Sequence, residues 1–440
     1  MSAMFLALRG MNYRLWFAGA LISNVGLWMQ RTAQDWLVLT ELTDNDATAL
    51  GINMGLQFAP QLLLVPWAGL IADRFERRHL LIITQASAAL LAVGLGALVL
   101  TGHVALWHVF AFSAALGVVS AIDSPARQAF VSDLVRKREL PNAVALNAAS
   151  FNTARLIGPA VAGGLVVLVG PGWVFVLNAG TYAATITALL LLNASTLFRT
   201  PRAPRGKGEL LAGFRYVRRR GDLLVLFIAA FIIGTFGLNF PIYSSTMTRI
   251  EFGLGAGEYG VLSSILAIGS ITGALVAARR ERPRLRIVFG AAGLFGLACL
   301  LSAAMPSFWS YAVSLIVVGL ASTTFMTTAN ATIQTTTSPV MRGRVMALYM
   351  AIFVGGTPLG APIVGWIASE FGPRSALLVG AASGIVTAII GVAWMVVAHD
   401  LRLRYSRRHP RRFYFTRDGQ SREAATSEIA ITETIATKGS

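Results

Sequence analysis

Apolar runs of about eighteen residues or more recur along this chain from one end to the other, and each is long enough to cross a bilayer as a helix. No water is present in the hydrocarbon to pair with an open backbone, so a helix is what such a run must form. Spans fall near 15–40, 49–72, 79–101, 104–123, 142–169, 173–197, 222–246, 256–278, 287–305, 308–330, 345–369 and 374–398. A water-soluble fold has no use for so many. Composition agrees, with 55% hydrophobic and 13% charged residues among 440, against about 25% charged in a soluble domain. The expectation is an all-α membrane protein of twelve transmembrane helices.

The connections between spans divide into two kinds. Those at 41–48, 102–103, 170–172, 247–255, 306–307 and 370–373 are short and nearly free of positive charge. The amino terminus, 73–78, 124–141, 198–221, 279–286, 331–344 and the tail after 398 are longer and basic. Of 37 Arg and Lys, Arg249 and Arg374 fall on or beside the first set, Arg31 and Arg155 fall inside spans, and the other 33 lie on the second. The positive-inside rule places the second set, and with it both termini, in the cytoplasm. The net charge of +17 is therefore a topology signal that contacts anionic lipid, and not a nucleic-acid surface. The run Leu15–Leu39 is too long for the core of a signal peptide and lacks a small-residue cleavage site, which favours a first span.

Residues 198–221, with Pro201, Pro204 and clustered arginines, divide the chain into a six-helix bundle over 1–197 and a second over 222–398. Residues 399–440 form a basic tail ending in a Ser/Thr/Ala-rich stretch that reads as disordered. A regulatory or partner-binding tail and a plain topology anchor both fit it. At an offset of 202, Ala145, Leu146, Ala149, Phe151, Gly158 and Gly163 meet Ala347, Leu348, Ala351, Phe353, Gly360 and Gly365. An in-order repeat of six spans implies a two-fold axis along the membrane normal, with a pathway between the halves.

Several residue sets carry candidate chemistry. Gly69, Asp73, Arg74, Arg77 and Arg78 lie between spans 2 and 3, where glycine permits close helix approach and the charges can latch and release as the halves rock. This spacing resembles the loop 2–3 signature of the major facilitator superfamily, with Glu76 where that signature has a second glycine. The counterpart at Gly273, Arg279 and Arg280 lacks the acid. Asp123 and Arg127 at the end of span 4, with Arg342 and Arg344 before span 11, join the same gating set. Gly158, Pro159, Gly163 and Gly164 in span 5 mark a bend with close packing, mirrored by Pro358 and Gly360 in span 11.

In span 1, Asn24, Arg31 and Asp35 share a face, and Arg31 and Asp35 are four residues apart, close enough to touch. Asp35 is the one acid well inside a span, which makes it, with Arg31, the candidate for proton coupling. It also lies toward the outer face, where a solvated residue held by Arg31 is the plain alternative. Arg155 sits near the centre of span 5, where a charge costs about 2.5–3.5 kcal/mol. It needs an acid, a polar cavity, an anionic substrate group, or carbonyls and polar side chains between helices. Gln57, Gln61, Asn152, Asn239 and Asn330 complete the cavity candidates.

The segments at 12–39, 123–135 (DSPARQAFVSDLV), 142–164 (NAVALNAASFNTARLIGPAVAGG) and 339–348 (PVMRGRVMAL) resemble the enterobactin-exporter-like branch of the major facilitator superfamily. That branch is also called transmembrane secretion effectors, or the third drug:proton antiporter family. The resemblance runs over about 10–400 and implies a monomer in the bacterial inner membrane. It further implies export of drug- or siderophore-like molecules in exchange for protons, by alternating access. An importer or lipid transporter of the same fold and a non-transporting sensor are the rivals. The sequence holds one cysteine, Cys299, and five scattered histidines, with no ATP-binding loop, metal-ligand spacing or nucleophile–base pair. An enzyme and a bound cofactor or metal are accordingly not expected, and the energy source is a proton gradient.

Overall fold

A computed structural model of the chain describes residues 3–198, 209–278, 284–399, 401–405 and 413–417. Within these, the side chains of 3–5, 65, 66, 69, 70, 72, 73, 209–211, 278, 354, 398, 399 and the last two segments are not described. The first half begins with α1 (Met11–Leu37), which runs on through a π-helical turn, Val38–Leu42. Asp46 caps α2 (Ala47–Arg74) by accepting the Thr48 N–H at 2.7 Å. Then come α3 (Arg77–Leu100), α4 (Leu106–Leu134), α5 (Leu140–Val169) and α6 (Pro171–Leu191). The short helix α7 (Glu209–Arg218) leads to a rod made of α8 (Gly221–Ile232), a π turn, α9 (Phe240–Thr246) and a second π turn ending at Glu251. The second half continues with α10 (Ala256–Ala278), α11 (Leu285–Ala303) and α12 (Phe308–Thr336). It closes with α13 (Pro339–Gly355), α14 (Thr357–Phe371) and α15 (Pro373–His399). Strands β1 (Leu401–Tyr405) and β2 (Phe413–Arg417) pair antiparallel in the tail, a local feature the tail's composition does not announce.

Ten rods among the described residues are long and apolar enough to cross a membrane. Helices α1 and α2, at 27 and 28 residues, match them in length. The apolar average of α1 is lowered by Gln30, Gln34 and Asp35, all of which it buries. Large apolar side chains such as Leu90, Leu168 and Trp309 stand on the outside, as lipid-facing residues do. The protein is a multi-pass membrane protein.

The internal repeat is deeper than the residue matches imply. Gly170 before α6 and Gly372 before α15 are also 202 apart, each followed by a proline, with φ of +81° and +87°. Only glycine takes that left-handed turn without strain, and a proline at the first helical position fits the fixed φ it brings.

Helices α1, α5 and α6 pack together, as do α2 with α4 and α3 with α4 and α6; α10, α11, α12 and α15 form the matching cluster. Two seams join the clusters, α2 against α14 and α5 against α10. Glycines set both. A Cβ on Gly163 would come within 2.7 Å of the Ala256 carbonyl oxygen, and one on Gly260 within 2.8 Å of the Pro159 carbonyl oxygen. On the other seam a Cβ on Gly51 would meet Pro362 Cα at 2.9 Å, and one on Gly365 would meet Gly51 Cα at 3.2 Å. Gly163 and Gly365 are repeat partners, so one motif serves both seams. At the end with the short connections, Ser369 Oγ donates to Asp46 at 2.8 Å and accepts the Thr48 N–H at 3.0 Å, while Arg249 Nε donates to Asn45 at 3.2 Å.

Several expectations need correction. The basic connections 124–141 and 331–344 are mostly helical, because α4, α5, α12 and α13 run past the apolar cores and leave only a few residues between them. Only Phe75 and Glu76 separate α2 from α3, and Glu76 takes an extended backbone (φ −67°, ψ 122°), so this turn has no need of a second glycine. Residues 209–218 of the linker form a helix packed on α13, with Gly213 against the Arg344 backbone. The mirrored bend is a break: Gly356 separates α13 from α14, whereas Pro159 lies inside an unbroken α5. Gly164 approaches nothing within 4 Å, unlike Gly163.

That contrast sets a test. Gly163→Val should lower stability by about 1–3 kcal/mol through overpacking. Gly164→Ala, in open space in the same helix, should raise it by about 0.5–1 kcal/mol. Thermal unfolding of the purified protein in detergent reads both, and equal effects would remove the seam from the account.

Candidate functional site

A cavity of about 160 Å³ lies between the two clusters, inward of the glycine seams. Helix α1 gives Trp28, Arg31, Thr32 and Asp35 to its wall, α2 gives Met54, Gln57 and Phe58, and α5 gives Arg155 and Pro159. The second half contributes Phe240 and Ser244 from α9, Tyr259 and Ser263 from α10, and Thr357 from the start of α14. The π turn Ile233–Gly237 and the α13–α14 break lie beside this wall. Gly356, at the break, would place a Cβ 2.8 Å from the backbone nitrogen of Thr235 in the first π turn. Such turns free the helical path locally, and they recur at functional sites.

Asp35 is 4% exposed, so it is not the solvated interfacial residue that its place along the span allows. It accepts a hydrogen bond from Asn53 Nδ2 at 3.4 Å. Asn53 is tied in turn to Ser113, and Gln34 donates to both Ser113 and Asn53, which links α1, α2 and α4. Asn53 was not among the candidate amides. Its signal was its place one turn before Gln57 on the same face of α2.

Arg31 does not pair with Asp35. Among the described residues no ion pair joins them. The Arg31 guanidinium lies over the rings of Trp28 and Phe58, at 5.4 and 5.1 Å, and its buried Nε has no hydrogen-bond partner. Arg155 stands over the same Trp28 ring, at 5.8 Å, with no ion pair or hydrogen bond among the described residues. The partner acid considered for Arg155 is absent there, and its charge opens on the cavity. Sequence reasoning also missed Trp28 and Phe58, because an aromatic in an apolar span reads as lipid or core contact.

The other cavity candidates divide. Gln57 lines the wall, buried, with its amide nitrogen unpaired. Asn24 is turned away and donates to Ser150 on α5 at 3.4 Å. Asn239 caps back onto the Thr235 carbonyl at 2.8 Å, and Asn152 onto the Ala148 carbonyl at 2.8 Å. Asn330 accepts from Gln334 within α12, and Gln61 stands outside the wall. Local bonds to the backbone engage the amide nitrogens of Asn152 and Asn239 without a ligand.

The gating charges act within one half. Arg77 on α3 grips Asp133 on α4 through 2.7 and 2.9 Å contacts. Arg78 donates to the carbonyls of Leu189 and Leu190 at the end of α6, at 2.8 and 3.1 Å. Asp123 pairs with Arg127 at 3.0 Å and accepts from Thr84 and Gln85 of α3, while Arg127 lies 5.4 Å from the Trp16 ring of α1. These bonds fasten α1, α3, α4 and α6 into a unit. Arg74 and Arg342 are exposed, and Arg344 contacts Met341 Sδ at 3.7 Å. The side chains of Gly69 and Asp73, and residues Arg279 and Arg280 entirely, lie outside the described residues. Among the described residues no cluster of three His, Cys, Asp or Glu could hold a metal.

The profile of a family described as transmembrane secretion effector matches residues 2–413. A staphyloferrin A transporter of Staphylococcus aureus is 25% identical over 397 residues, covering 89% of this chain and 97% of its own. An enterobactin exporter of Shigella flexneri is 26% identical over 404 residues, covering 89% and 92%. Among solved structures, a POT family transporter in complex with 5-aminolevulinic acid superposes with a TM-score of 0.71 at 14% identity, covering 88% of this chain and 96% of that one. A bacterial homologue of the lysosomal transporter Spinster, inward-facing and unoccupied, superposes with 0.62 at 16% identity, covering 87% and 95%. At these identities the structural likeness concerns the fold, which is the major facilitator fold.

Two measurements probe the charges. Asp123→Ala removes the counter-charge of the half-buried Arg127 and should cost about 3 kcal/mol, seen as a lower unfolding temperature. At Asp46, burial alone would raise the carboxyl, but hydrogen bonds from Ser369 and Thr48 outweigh it and hold the group below its ordinary value. A depressed value means this stabilisation is complete above the ordinary aspartate range, about pH 4, and is lost as pH falls from there through the lower folded-state value. The unfolding temperature of the wild type should drop more between pH 5 and pH 3 than that of Ser369→Ala.

Proposed function

The chain belongs to the transmembrane secretion effector family of membrane transporters, and from that premise we propose that it exports small organic molecules by proton antiport with alternating access. The observation that carries this reading is the cavity between the halves, where Asp35 is the only acid on the wall among the described residues. A carboxylate buried in a bundle interior and hydrogen-bonded by Asn53 is placed to take up and release a proton. The 33 basic residues on one set of connections support a bacterial inner-membrane protein with both termini in the cytoplasm. The seams then close the outer side, and the cavity serves the cytoplasm.

In this scheme cargo enters from the cytoplasm and the halves rock about the two seams. The Asp46–Ser369 and Arg249–Asn45 contacts part, cargo leaves, and a proton arriving from outside on Asp35 returns the protein. The charge clusters around Asp123 and Asp133 keep the first half rigid as it turns. Drug-like and siderophore-like cargo both fit the family. The names of the two relatives, each aligned over nearly its whole length, favour the siderophore class. The protein works as a monomer with its basic loops on anionic lipid.

Inside-out vesicles test the direction and the coupling together. A proton gradient, acid inside, should drive labelled cargo into them, and Asp35→Asn should abolish that uptake while the protein stays folded and still exchanges cargo without a gradient. Unchanged gradient-driven uptake by Asp35→Asn would remove Asp35 from the mechanism, and flux only in the opposite sense would make the protein an importer.

A further inference from the structure

The cavity wall is unbalanced in charge and in hydrogen bonding. Two guanidiniums, Arg31 and Arg155, face it against the single carboxylate of Asp35, which Asn53 already engages. Among the described residues Arg155 has no acid partner, and Arg31 makes no close ion pair with Asp35, the one acid whose charge acts on it. Nearby, Gln57 (4% exposed) lines the same wall with its amide nitrogen unpaired, as is the Arg31 Nε, and Ser244 (2% exposed) lies on that wall with its hydroxyl beside the Tyr311 hydroxyl. The Arg31, Arg155, Gln57 and Ser244 side chains can all donate, and they come from both halves. A buried donor without an acceptor is costly, and most such groups in folded proteins have a partner. The same wall carries the Trp28 and Phe58 rings, over which the guanidiniums already lie.

We propose that this cavity is an oxyanion-binding site, and that the cargo is an organic anion that carries its charge on oxygen atoms beside a flat apolar body. This rests on reading the cavity as the cargo site. The guanidiniums of Arg31 and Arg155 clamp the anionic oxygens, Gln57 and Ser244 supply further donors, and Trp28 and Phe58 cover the apolar body. Ser244 engages from the second half, so an acceptor-rich cargo bridges the two clusters. A cationic drug meets two like charges on the same wall and is disfavoured.

The test uses three probes of one shape on the purified full-length protein in detergent: 2-naphthoate, 2-naphthamide and 2-(aminomethyl)naphthalene, titrated calorimetrically. The acid should bind about ten- to a hundredfold more tightly than the amide, the difference between a charged and a neutral hydrogen-bonding partner, and the amine should bind weakest. Arg31→Gln and Arg155→Gln should each bring the acid close to the amide, while binding of the amide by a monodisperse variant certifies the fold. Arg155→Lys, which keeps the charge, should retain part of the preference and serves where the Gln variants do not fold. Equal affinity for acid and amide, a preference for the amine, no binding of the acid, or variants that keep the full preference would each overturn the proposal. Proteoliposome flux separates it from the transport reading. Charge-selective binding without flux leaves the anion site and removes transport, whereas flux without charge selectivity does the reverse.

Discussion

Close backbone approach at two glycine seams is the constraint on which the rest of this structure depends. Lipid tails are as apolar as leucine, so two helical clusters in a bilayer gain little by hiding apolar surface from one another. What holds them is van der Waals contact at short range, and that requires residues without a side chain at the crossing. Gly163 and Gly260 supply it between α5 and α10, and Gly51 and Gly365 between α2 and α14. Among the described residues the seams carry few polar bonds, those of Ser369 and Arg249 at one end and one from Ser264 to the Leu156 carbonyl between α5 and α10, so the halves can meet firmly there and still leave a cavity further in.

Two kinds of charge then have different surroundings and different duties. Arg77 with Asp133, and Arg127 with Asp123, are matched within the first half and surrounded by hydrogen bonds, so they stiffen a unit. Arg31 and Arg155 lie on aromatic faces with no close ion pair among the described residues, and they open on the cavity. A charge kept in a membrane interior without a counter-ion is a functional group by default, because nothing structural offsets its desolvation. Asp35 stands between these cases: it is buried in a polar network that spans three helices, yet it forms part of the cavity wall.

Much of the site was legible from residue type, and little of it from residue pairing. Arg155 and Asp35 declare themselves because a charge in mid-span is rare. The i, i+4 spacing of Arg31 and Asp35 pointed to an ion pair, but the neighbouring rings of Trp28 and Phe58 and the amide of Asn53 compete for the two groups and win. Asn24, Asn152 and Asn239 looked like cavity amides, and each instead bonds to a neighbouring helix or to its own backbone. An amide carries no mark in the sequence that says which of these it will do.

By itself the sequence determined the helical, multi-pass character of the chain, since hydrophobic length and backbone satisfaction in lipid allow no other answer. It also determined the internal repeat, down to the Gly170–Pro171 and Gly372–Pro373 turns, because an in-order duplication leaves its glycines and prolines at a constant offset. Only the tertiary structure decided that one copy of the bend is a continuous helix and the other a break. It alone decided which of two adjacent glycines packs, and which polar side chains from six separate helical segments converge on one cavity. Those outcomes depend on how rods tilt and cross, and crossing geometry is a property of the neighbours, not of the span.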